Sequence, residues 1–458
     1  MRLESLYIKK YNIFHNKEII FNLQNNENLL LSEIFGDLKI TLFVGENGSG
    51  KTTILSFISK IFSFLQRNRH KIPSDFVLKY YIGAKHTAIT ISKREHDFFI
   101  TIDGTEYFLQ EFNMKNKSYI YDVRYENQVS YTDIIEYLPS NVIVLGFDTS
   151  YQMSYSWNYY GHRIIEEMNL NSCYKDNCFG LDLSTGLVTL IHHYLKNPKV
   201  SLLFNHMNFA FSNKIKVFVN FSDDDYDETF PNYIRSEYFI ESFWINYSLP
   251  DTTNNEEDDK NYTGFNFNIF KFLNQNDTNY NILKFFIQNN FIYINDQYIN
   301  KGGVDIPINN MSTGEKSFIF RLCYILSKLN NSSLIIFEEP ETHLNVMWAK
   351  QLVPLITLLF KDYDVSFLFS SHELHFINCL FPEQILLLKD SSIKHPDFQT
   401  FLANETEIKN HLFPEAFYNP FEEHLLSLMD SRNNLSKDYI LKNIGESYLK
   451  FLIYKTYE

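Results

Sequence analysis

The chain has 458 residues, of which 45% are hydrophobic and 21% charged, a balance typical of folded globular proteins and unlike that of disordered ones. Its formal net charge of −14 excludes a general basic field that would draw it onto nucleic acid, although a local basic groove stays open. The first residues form no signal-peptide core and no apolar run reaches the ~18–20 residues of a membrane span, so we expect a cytoplasmic protein without a membrane segment.

The first predicted elements are strands. Apolar residues alternate from Leu3 to Ile8, return at 19–21 after a polar turn, and form a third run over 38–44. After a glycine-rich stretch the apolar residues of 51–65 recur at spacings of three and four, which predicts an amphipathic helix. The order of strand, glycine loop and helix is the context that a phosphate-binding loop needs.

Short apolar runs then predict an N-terminal antiparallel β-subdomain, with strands at 76–82, 88–92, 98–103 and 106–112. A further strand is expected at 141–147. Residues 151–303 are rich in Asn, Tyr and Phe and are interrupted by acidic stretches at 223–228 and 251–260, which we interpret as solvated loops. Helices are predicted near 184–196, 237–247 and 279–289, so this region is interpreted as a helix-rich insertion.

The last third of the chain alternates between strands and helices, which indicates an α/β domain with a parallel, helix-covered sheet. Strands are predicted at 304–308, 334–337, 365–369 and 384–388, and helices at 315–329 and 344–360. The sequence therefore predicts four regions: an N-terminal lobe (1–150), the insertion (151–303), a C-terminal lobe (304–404) and a helical C-terminal region (405–458).

The stretch from Gly45 to Thr53, GENGSGKTT, has the full spacing of a phosphate-binding loop. Glycines allow successive N–H groups to converge on phosphate oxygens, and the following helix adds about half a positive charge from its dipole. Lys51 is placed for the β- and γ-phosphates and Thr52 for Mg²⁺. ATP and Mg²⁺ are thus the expected cofactors. The predicted nucleotide contacts in this loop are Gly45, Asn47, Gly48, Ser49, Gly50, Lys51, Thr52 and Thr53.

The apolar strand at 334–337 ends in two carboxylates, Glu338 and Glu339. Alone, this pattern also fits a core strand that runs into an acidic surface turn. In a parallel sheet, however, ligands lie at the carboxyl ends of the strands, so both acids would face the pocket that holds Lys51. Glu338 is then a candidate for the Mg²⁺ site and Glu339 for polarising the attacking water.

Two polar turns complete the candidate site. The turn around Ser312 and Gly314 precedes a predicted helix, and a helix N-terminus can bind an anion. A capping box between Ser312 and Glu315 is an equally good interpretation of the same residues. The two roles do not exclude each other. His372 follows the strand after the acidic one. A lone histidine is more often structural, but at this position it is a candidate sensor of the γ-phosphate.

Taken in order, these motifs resemble those of the ABC-type ATPases, in the branch with SMC, RecF and OLD-like proteins. The matching text is GENGSGKTT, STGEK as the signature motif, FEEPETHLN as Walker B with D-loop, and SSH as the switch histidine. The resemblance covers about residues 1–150 and 304–390. It departs from the family at Glu338, where an aspartate is usual, and at the Q-loop glutamine, for which Gln152 is a weak candidate.

The resemblance implies a head-to-tail dimer in which each nucleotide lies between the phosphate loop of one head and the signature motif of the other. Ser312 and Gly314 would then contact phosphate in trans, with Glu339 and His372 as the catalytic residues. The chain has no long coiled coil, and its compact head with a moderate insert is similar to the ATPase subunits of bacterial anti-phage systems such as Septu and PARIS. That similarity implies control of a separately encoded effector, often a nuclease.

Two other functions stay open at this stage. A RecF-like DNA-repair ATPase would clamp DNA on dimerising and should gather Lys and Arg on the face that the insertion forms, whereas the insertion contains acidic stretches. A module that binds ATP, hydrolyses it hardly at all and uses it only to set assembly is the third hypothesis, against which Glu339 argues.

Overall fold

The computed structural model describes residues 1–21, 28–83, 85–113, 115–145, 165–167, 174–175, 178–219, 263–342, 344–389 and 392–412, with a few positions beyond 440. The chain divides into the units Met1–Leu402 and Ala403–Glu458. The predicted helix at 237–247, Gln152 and most of the predicted helical tail lie outside the described residues. Among the helices of the described part, none is long and apolar enough to cross a membrane.

A seven-stranded sheet forms the centre of the first unit, and all its neighbouring strands are parallel except the last pair. Its strand order is β12-β11-β19-β20-β3-β21-β22. The strands are β3 (Lys39–Gly45), β11 (Val142–Leu145), β12 (Ile165–Glu167), β19 (Leu334–Glu338), β20 (Ser366–Ser371), β21 (Ile385–Lys389) and β22 (Ser392–Lys394). This sheet confirms the parallel α/β architecture expected from the sequence.

The N-terminal lobe adds a second seven-stranded sheet, which confirms the predicted antiparallel β-subdomain. Its order is β10-β7-β6-β5-β4-β1-β2, with only the β10–β7 pair parallel. The strands are β1 (Arg2–Tyr11), β2 (Phe14–Ile20), β4 (Phe76–Ile82), β5 (Thr87–Arg94), β6 (Asp97–Ile102), β7 (Thr105–Leu109) and β10 (Gln128–Val129).

The strand predicted over 106–112 is two strands in the structure. β7 ends at Leu109, and Glu111–Asn113 (β8) pairs instead with Ser118–Ile120 (β9). The buried guanidinium of Arg69 donates to the carbonyls of Leu109 (2.7 Å) and Gln110 (2.8 Å) at this break. A side chain from elsewhere in the sequence thus occupies the backbone acceptors where the strand stops.

Helix α2 (Lys51–Phe64) carries the apolar face that the sequence predicted, and its residues Ile54, Leu55, Ile58 and Ile61 are fully buried. The same hydrophobic core includes Leu6 and Ile8 of the antiparallel sheet together with Phe43 and Ile336 of the central sheet. Burial of apolar area on this scale is the main favourable term in folding. The core therefore anchors the helix that follows the phosphate loop to both sheets.

The central region contains the helices predicted near 184–196 and 279–289, and also an antiparallel sheet that sequence analysis missed. The sheet has the order β16-β15-β17-β18. Two register irregularities interrupt the pairing of β15 with β17, so the alternation expected of a strand is broken. The elements are α3 (Leu181–Lys196), α4 (Pro198–His206), β15 (Ala210–Val219), β16 (Thr263–Asn268), α5 (Ile269–Gln275), α6 (Asp277–Gln288), β17 (Ile292–Lys301) and β18 (Val304–Pro307).

The other α-helices and one short hairpin complete the regular elements of the described part, apart from four short 3-10 helices. They are α1 (Leu29–Phe35), the hairpin β13 (Tyr174–Lys175) and β14 (Cys178–Phe179), α7 (Thr313–Lys328), α8 (Val346–Phe360), α9 (Leu374–Ile377) and, in the second unit, α10 (Glu405–Leu412). The bounds of the strand Val304–Pro307 and of helices α7 and α8 agree with the sequence prediction to within two residues. The assignment of this strand to the parallel sheet was wrong, because it pairs antiparallel with β17 in the separate four-stranded sheet. Helix α1 was not predicted.

Helices α3 and α7 pack so closely that only a glycine fits at position 186. A Cβ atom added to Gly186 would lie 1.8 Å from the carbonyl oxygen of Cys323. The backbone of α3 therefore rests directly on the helix that begins at the Ser312 turn.

We expect Gly186→Ala to lower the free energy of unfolding by about 1–3 kcal/mol, because overpacking forces two helix backbones apart. Urea denaturation followed by circular dichroism measures the change. Leu181→Ala, at a half-exposed position of the same helix, is the matched control. Equal stability of Gly186→Ala and the unmodified chain would contradict the close packing.

Candidate functional site

The strand order places three predicted motifs at one edge of the central sheet. β3 ends at Gly45, β19 ends at Glu338, and β20, which ends at Ser371, lies between them and pairs with both. Because these strands are parallel, their carboxyl ends face the same side, where ligands bind in open α/β sheets. The phosphate loop, the acidic pair and the SSH turn thus converge.

The glycines of the loop are required by its geometry. A Cβ at Gly45 would lie 2.5 Å from the carbonyl oxygen of Leu388, and Gly48 and Gly50 have φ of +80° and +98°, in the region that favours glycine. Gly50 caps α2 without a side-chain hydrogen bond. The first N–H groups of the helix, which have no intrahelical partner, are therefore available for an anion.

The Lys51 side chain is buried against this loop, and its ammonium group contacts the loop backbone. Its Nζ donates to the carbonyl oxygens of Gly45 (2.8 Å) and Glu46 (3.2 Å), and the residue is only 6% exposed. Burial lowers the pKa of Lys51, an effect that the neighbouring carboxylates of Glu339, Glu341 and Glu338 partly oppose. A desolvated ammonium held by carbonyl groups alone is a strong site for a phosphate oxygen.

A buried hydroxyl in the loop also fits a bound phosphate. Ser49 Oγ is buried and, among the described residues, has no hydrogen-bond partner, although its backbone N–H donates to Glu46. Buried polar atoms are normally paired, so an unpaired hydroxyl in this loop fits a phosphate oxygen as its partner. Asn47 is exposed and Thr53 is half-buried, and their predicted contacts to phosphate stay predictions.

The metal residues predicted from the sequence touch each other. The Thr52 hydroxyl donates to Glu338 Oε1, and Glu338 is 9% exposed. A hydroxyl and a carboxylate beside a phosphate loop suit Mg²⁺, which is usually held by one or two protein oxygens, substrate phosphates and water. In the described part of the chain no cluster of three or more His, Cys, Asp or Glu forms an all-protein metal cage. Thr52 and Glu338 therefore fit a metal that arrives with a nucleotide.

Glu339 has a strained backbone that points its side chain toward His372. Its φ is +38°, in the left-handed region that non-glycine residues rarely adopt, and its N–H donates to the carbonyl oxygen of Ser370 (3.0 Å). Strain of this kind clusters at functional sites. Glu339 Oε1 lies 3.2 Å from His372 Nε2, and both side chains stay partly exposed. The two predicted catalytic residues are thus brought together within reach of solvent.

A third carboxylate, Glu341, belongs to the same cluster, and the sequence analysis gave it no role. Its Oε1 accepts from the Ser371 hydroxyl (2.7 Å) and the His372 N–H (3.3 Å), while Oε2 is buried without a partner among the described residues. Burial raises the pKa of Glu341. This carboxylate fixes the turn that carries His372. Its position directly after the Glu-Glu-Pro turn was the signal available in the sequence.

The Ser312 turn forms the capping box that was one of its two interpretations. Ser312 Oγ accepts from the Glu315 N–H (3.4 Å), and Glu315 Oε2 accepts from the Ser312 N–H (3.3 Å). Ser312 is exposed and Gly314 is buried. The trans contact to phosphate requires a second copy of the chain, so this part of the prediction stays a prediction.

Comparison with known sequences places AAA-domain segments in both halves of the chain. Residues 5–173 match a model described as "AAA domain". Residues 210–378 match a model described as "AAA domain, putative AbiEii toxin, Type IV TA system". No curated protein matches the chain. The two segments include the phosphate loop, the Ser312 turn, the acidic strand and His372, so both halves of the candidate site lie in segments that are similar to AAA domains.

Solved structures similar to this chain include heads of SMC proteins and an ABC cassette. The SMC head domain from Thermotoga maritima has 13% identity and a TM-score of 0.34, covering 87% of this chain and 100% of its own. A Pyrococcus furiosus Smc head domain with an extended coiled coil, bound to the C-terminal domain of ScpA, has 10% identity, a TM-score of 0.38 and coverages of 94% and 100%. A nucleotide-free ATP-binding cassette from an ABC transporter has 13% identity, a TM-score of 0.29 and coverages of 90% and 94%.

We expect Lys51→Ala to weaken ATP binding at least ~30-fold, since removing one partner of a buried charge-assisted contact costs about 2–5 kcal/mol. Titration with a fluorescent ATP analogue measures the affinity. Lys60→Ala, on the same helix but bonded to the Tyr11 hydroxyl, is the matched control and should bind normally. Unchanged affinity of Lys51→Ala, with the fold intact by circular dichroism, would remove the loop as the nucleotide site.

Proposed function

We propose that this chain binds ATP with Mg²⁺ and hydrolyses it in a site shared by two head-to-tail copies. The observation that carries the proposal is the convergence of Lys51, Thr52, Glu338, Glu339 and His372 at one edge of the central sheet. A phosphate loop, oxygens suited to Mg²⁺ and a carboxylate–histidine pair meet there, which is the set of parts that phosphoryl transfer to water needs.

Each residue has a distinct task in this proposal. Lys51 leaves the loop carbonyls and binds the β- and γ-phosphate oxygens, while the N–H groups at the start of α2 hold the phosphates. Thr52 and Glu338 supply oxygens toward Mg²⁺, which neutralises phosphate charge when bound. Glu338 replaces the usual aspartate, and its longer side chain reaches Thr52 directly in the structure.

Glu339 is the proposed general base and His372 its partner. The carboxylate is partly exposed, so a water molecule has access to it, and the strained backbone fixes its direction. His372 sits 3.2 Å away and is held by Glu341 through its backbone N–H. Glu339 orients and polarises the attacking water, while His372 is placed to donate to the γ-phosphate.

We expect Glu339→Gln to bind ATP with normal affinity and to hydrolyse it at least ~100-fold more slowly, as is typical when a general base is removed. Phosphate release under saturating ATP measures the rate. Glu373→Gln, which changes an exposed carboxylate just beyond the SSH turn, is the matched control. A turnover of Glu339→Gln close to that of the control would show that another group activates the water.

The trans arrangement rests on the exposed Ser312 turn at the N-terminus of α7, the kind of site that binds an anion. Neither Lys51→Ala nor Ser312→Arg alone should hydrolyse ATP, because each would disable every site of its own homodimer.

Mixing the two variants should restore activity, because one of the two sites in a mixed dimer is then intact. At equal concentrations random pairing makes about half of the dimers mixed, so activity should approach about a quarter of the unmodified level. Phosphate release from the mixture measures it. An inactive mixture, with dimers confirmed by sedimentation, would contradict sharing in trans.

We further propose that the ATPase controls a separately encoded effector, for which a nuclease is the best candidate, in bacterial anti-phage defence. The described residues contain one phosphate loop with its acidic strand and His372, and no cluster of metal-binding side chains for a second catalytic centre. The family model matched over 210–378 is described as "AAA domain, putative AbiEii toxin, Type IV TA system". Affinity purification from cells carrying the neighbouring genes, with and without ATP, tests the proposal. Recovery of DNA with no partner protein would favour a RecF-like clamp instead.

A further inference from the structure

In the proposed function the N–H and hydroxyl groups of Ser312 donate to a phosphate. Within one copy of the chain, both groups already donate to the carboxylate of Glu315. The backbone N–H lies 3.3 Å and the hydroxyl 2.8 Å from Glu315 Oε2. The Ser312 hydroxyl must therefore give up its hydrogen bond to Glu315 before it can donate to an incoming γ-phosphate. The phosphate must also approach within one turn of a negative charge, which like-charge repulsion opposes.

Lys301 is the residue that compensates this charge. It ends β17, and its Nζ lies 2.5 Å from Glu315 Oε1, the oxygen that Ser312 does not use. The turn that follows, Gly302–Gly303, has φ of +61° and +87° at its two glycines, which lets β17 reverse immediately into β18. Both partners are partly buried, with 30% and 19% of their side chains exposed. This pair is consequently shielded from solvent more than a typical surface ion pair.

The strand that carries Lys301 also holds the residues just before Ser312. Asp296, five residues earlier on β17 and 8% exposed, accepts from the Asn309 side chain (3.1 Å). Lys316 Nζ donates to the Asn309 carbonyl oxygen (3.2 Å) from the first turns of α7. The Ser312 turn is thus fixed on one side by Asp296 and on the other by Lys301, and both residues come from the sheet that sequence analysis missed.

The charge state of the carboxylate agrees with this geometry. Burial acts to raise the pKa of Glu315, but hydrogen bonds from Lys301 and Ser312 outweigh it, so the net shift is downward. Glu315 is ionised at neutral pH, and its compensation depends on the ammonium group.

We propose that Lys301 is a positioning residue for ATP-dependent pairing of two copies. It neutralises Glu315 and holds it in the capping box, so that the Ser312 hydroxyl can redirect its hydrogen bond from Glu315 to the γ-phosphate bound by the partner. The inference rests on the proposed shared site and assigns a role to a residue outside every motif of the head.

The test uses full-length Lys301→Met, which keeps the length of the side chain and removes its charge. We expect ATP-dependent dimerisation, measured by sedimentation in the non-hydrolysing Glu339→Gln background, to weaken at least ~10-fold through uncompensated like charge. Binding of a fluorescent ATP analogue to the monomer should change less than ~2-fold, since Lys51 is untouched. Lys328→Met, which removes the Lys328–Asp182 ion pair at the other end of α7, is the matched control.

Two further variants make the outcome decisive. Adding Glu315→Gln to Lys301→Met should restore dimerisation, because glutamine keeps the capping box without the charge. Lys301→Arg should also behave normally. If Lys301→Met lowers only the melting temperature, or if the double variant stays defective, the inference is wrong. If Ser312→Arg leaves both dimerisation and turnover unchanged, the proposal of a shared site is wrong, and the inference that rests on it is wrong too. If Ser312→Arg is defective but Lys301→Met is not, only the inference about Lys301 is wrong.

Discussion

The hydrogen bond from the Thr52 hydroxyl to the Glu338 carboxylate joins two parts of the chain that lie 286 residues apart in sequence. It can form only because β3 and β19 run parallel in one sheet with β20 between them. The same arrangement brings the Lys51 ammonium onto the loop carbonyls and the Glu339 carboxylate to 3.2 Å from His372. If either strand ran in the opposite direction, the loop and the acids would lie at opposite edges of the sheet and no metal could be shared between them.

The core that maintains this arrangement is continuous between the two sheets of the head. Helix α2 contributes fully buried aliphatic residues to it, and the antiparallel lobe supplies the matching apolar faces. Anchoring the helix that follows the loop fixes the position of its N-terminus. The loop itself needs glycines for two reasons. Gly48 and Gly50 have φ of +80° and +98°, and a Cβ at Gly50 would also lie 2.6 Å from the Phe14 ring, whereas one at Gly48 would meet nothing within 4 Å.

Local patterns made much of this site predictable, and contacts between distant residues made the rest unpredictable. The conformations of the loop Gly45–Thr53 and of the strand before Glu338 follow from local residue patterns, so both could be predicted from the sequence. The predicted parallel sheet then implied that the loop and Glu338 lie close together. The role of Glu341 depends on a hydroxyl from the next strand, and the sheet of β15 to β18 depends on pairing across bulges. The end of β7 was unpredictable for the same reason, because the Leu109 carbonyl oxygen accepts a hydrogen bond from Arg69, which lies 40 residues away in sequence. The Ser312 turn lies between these cases: its capping box was readable from the sequence, whereas its use in trans involves another molecule.

The most direct test of the account is a structure of the Glu339→Gln variant with ATP and Mg²⁺. The account predicts a two-fold pair in which the γ-phosphate of each nucleotide contacts Lys51 of one copy and Ser312 of the other, with the metal between Thr52 and Glu338. Nucleotide bound at Lys51 with every Ser312 still paired to its own Glu315 and far from any phosphate would contradict the shared site.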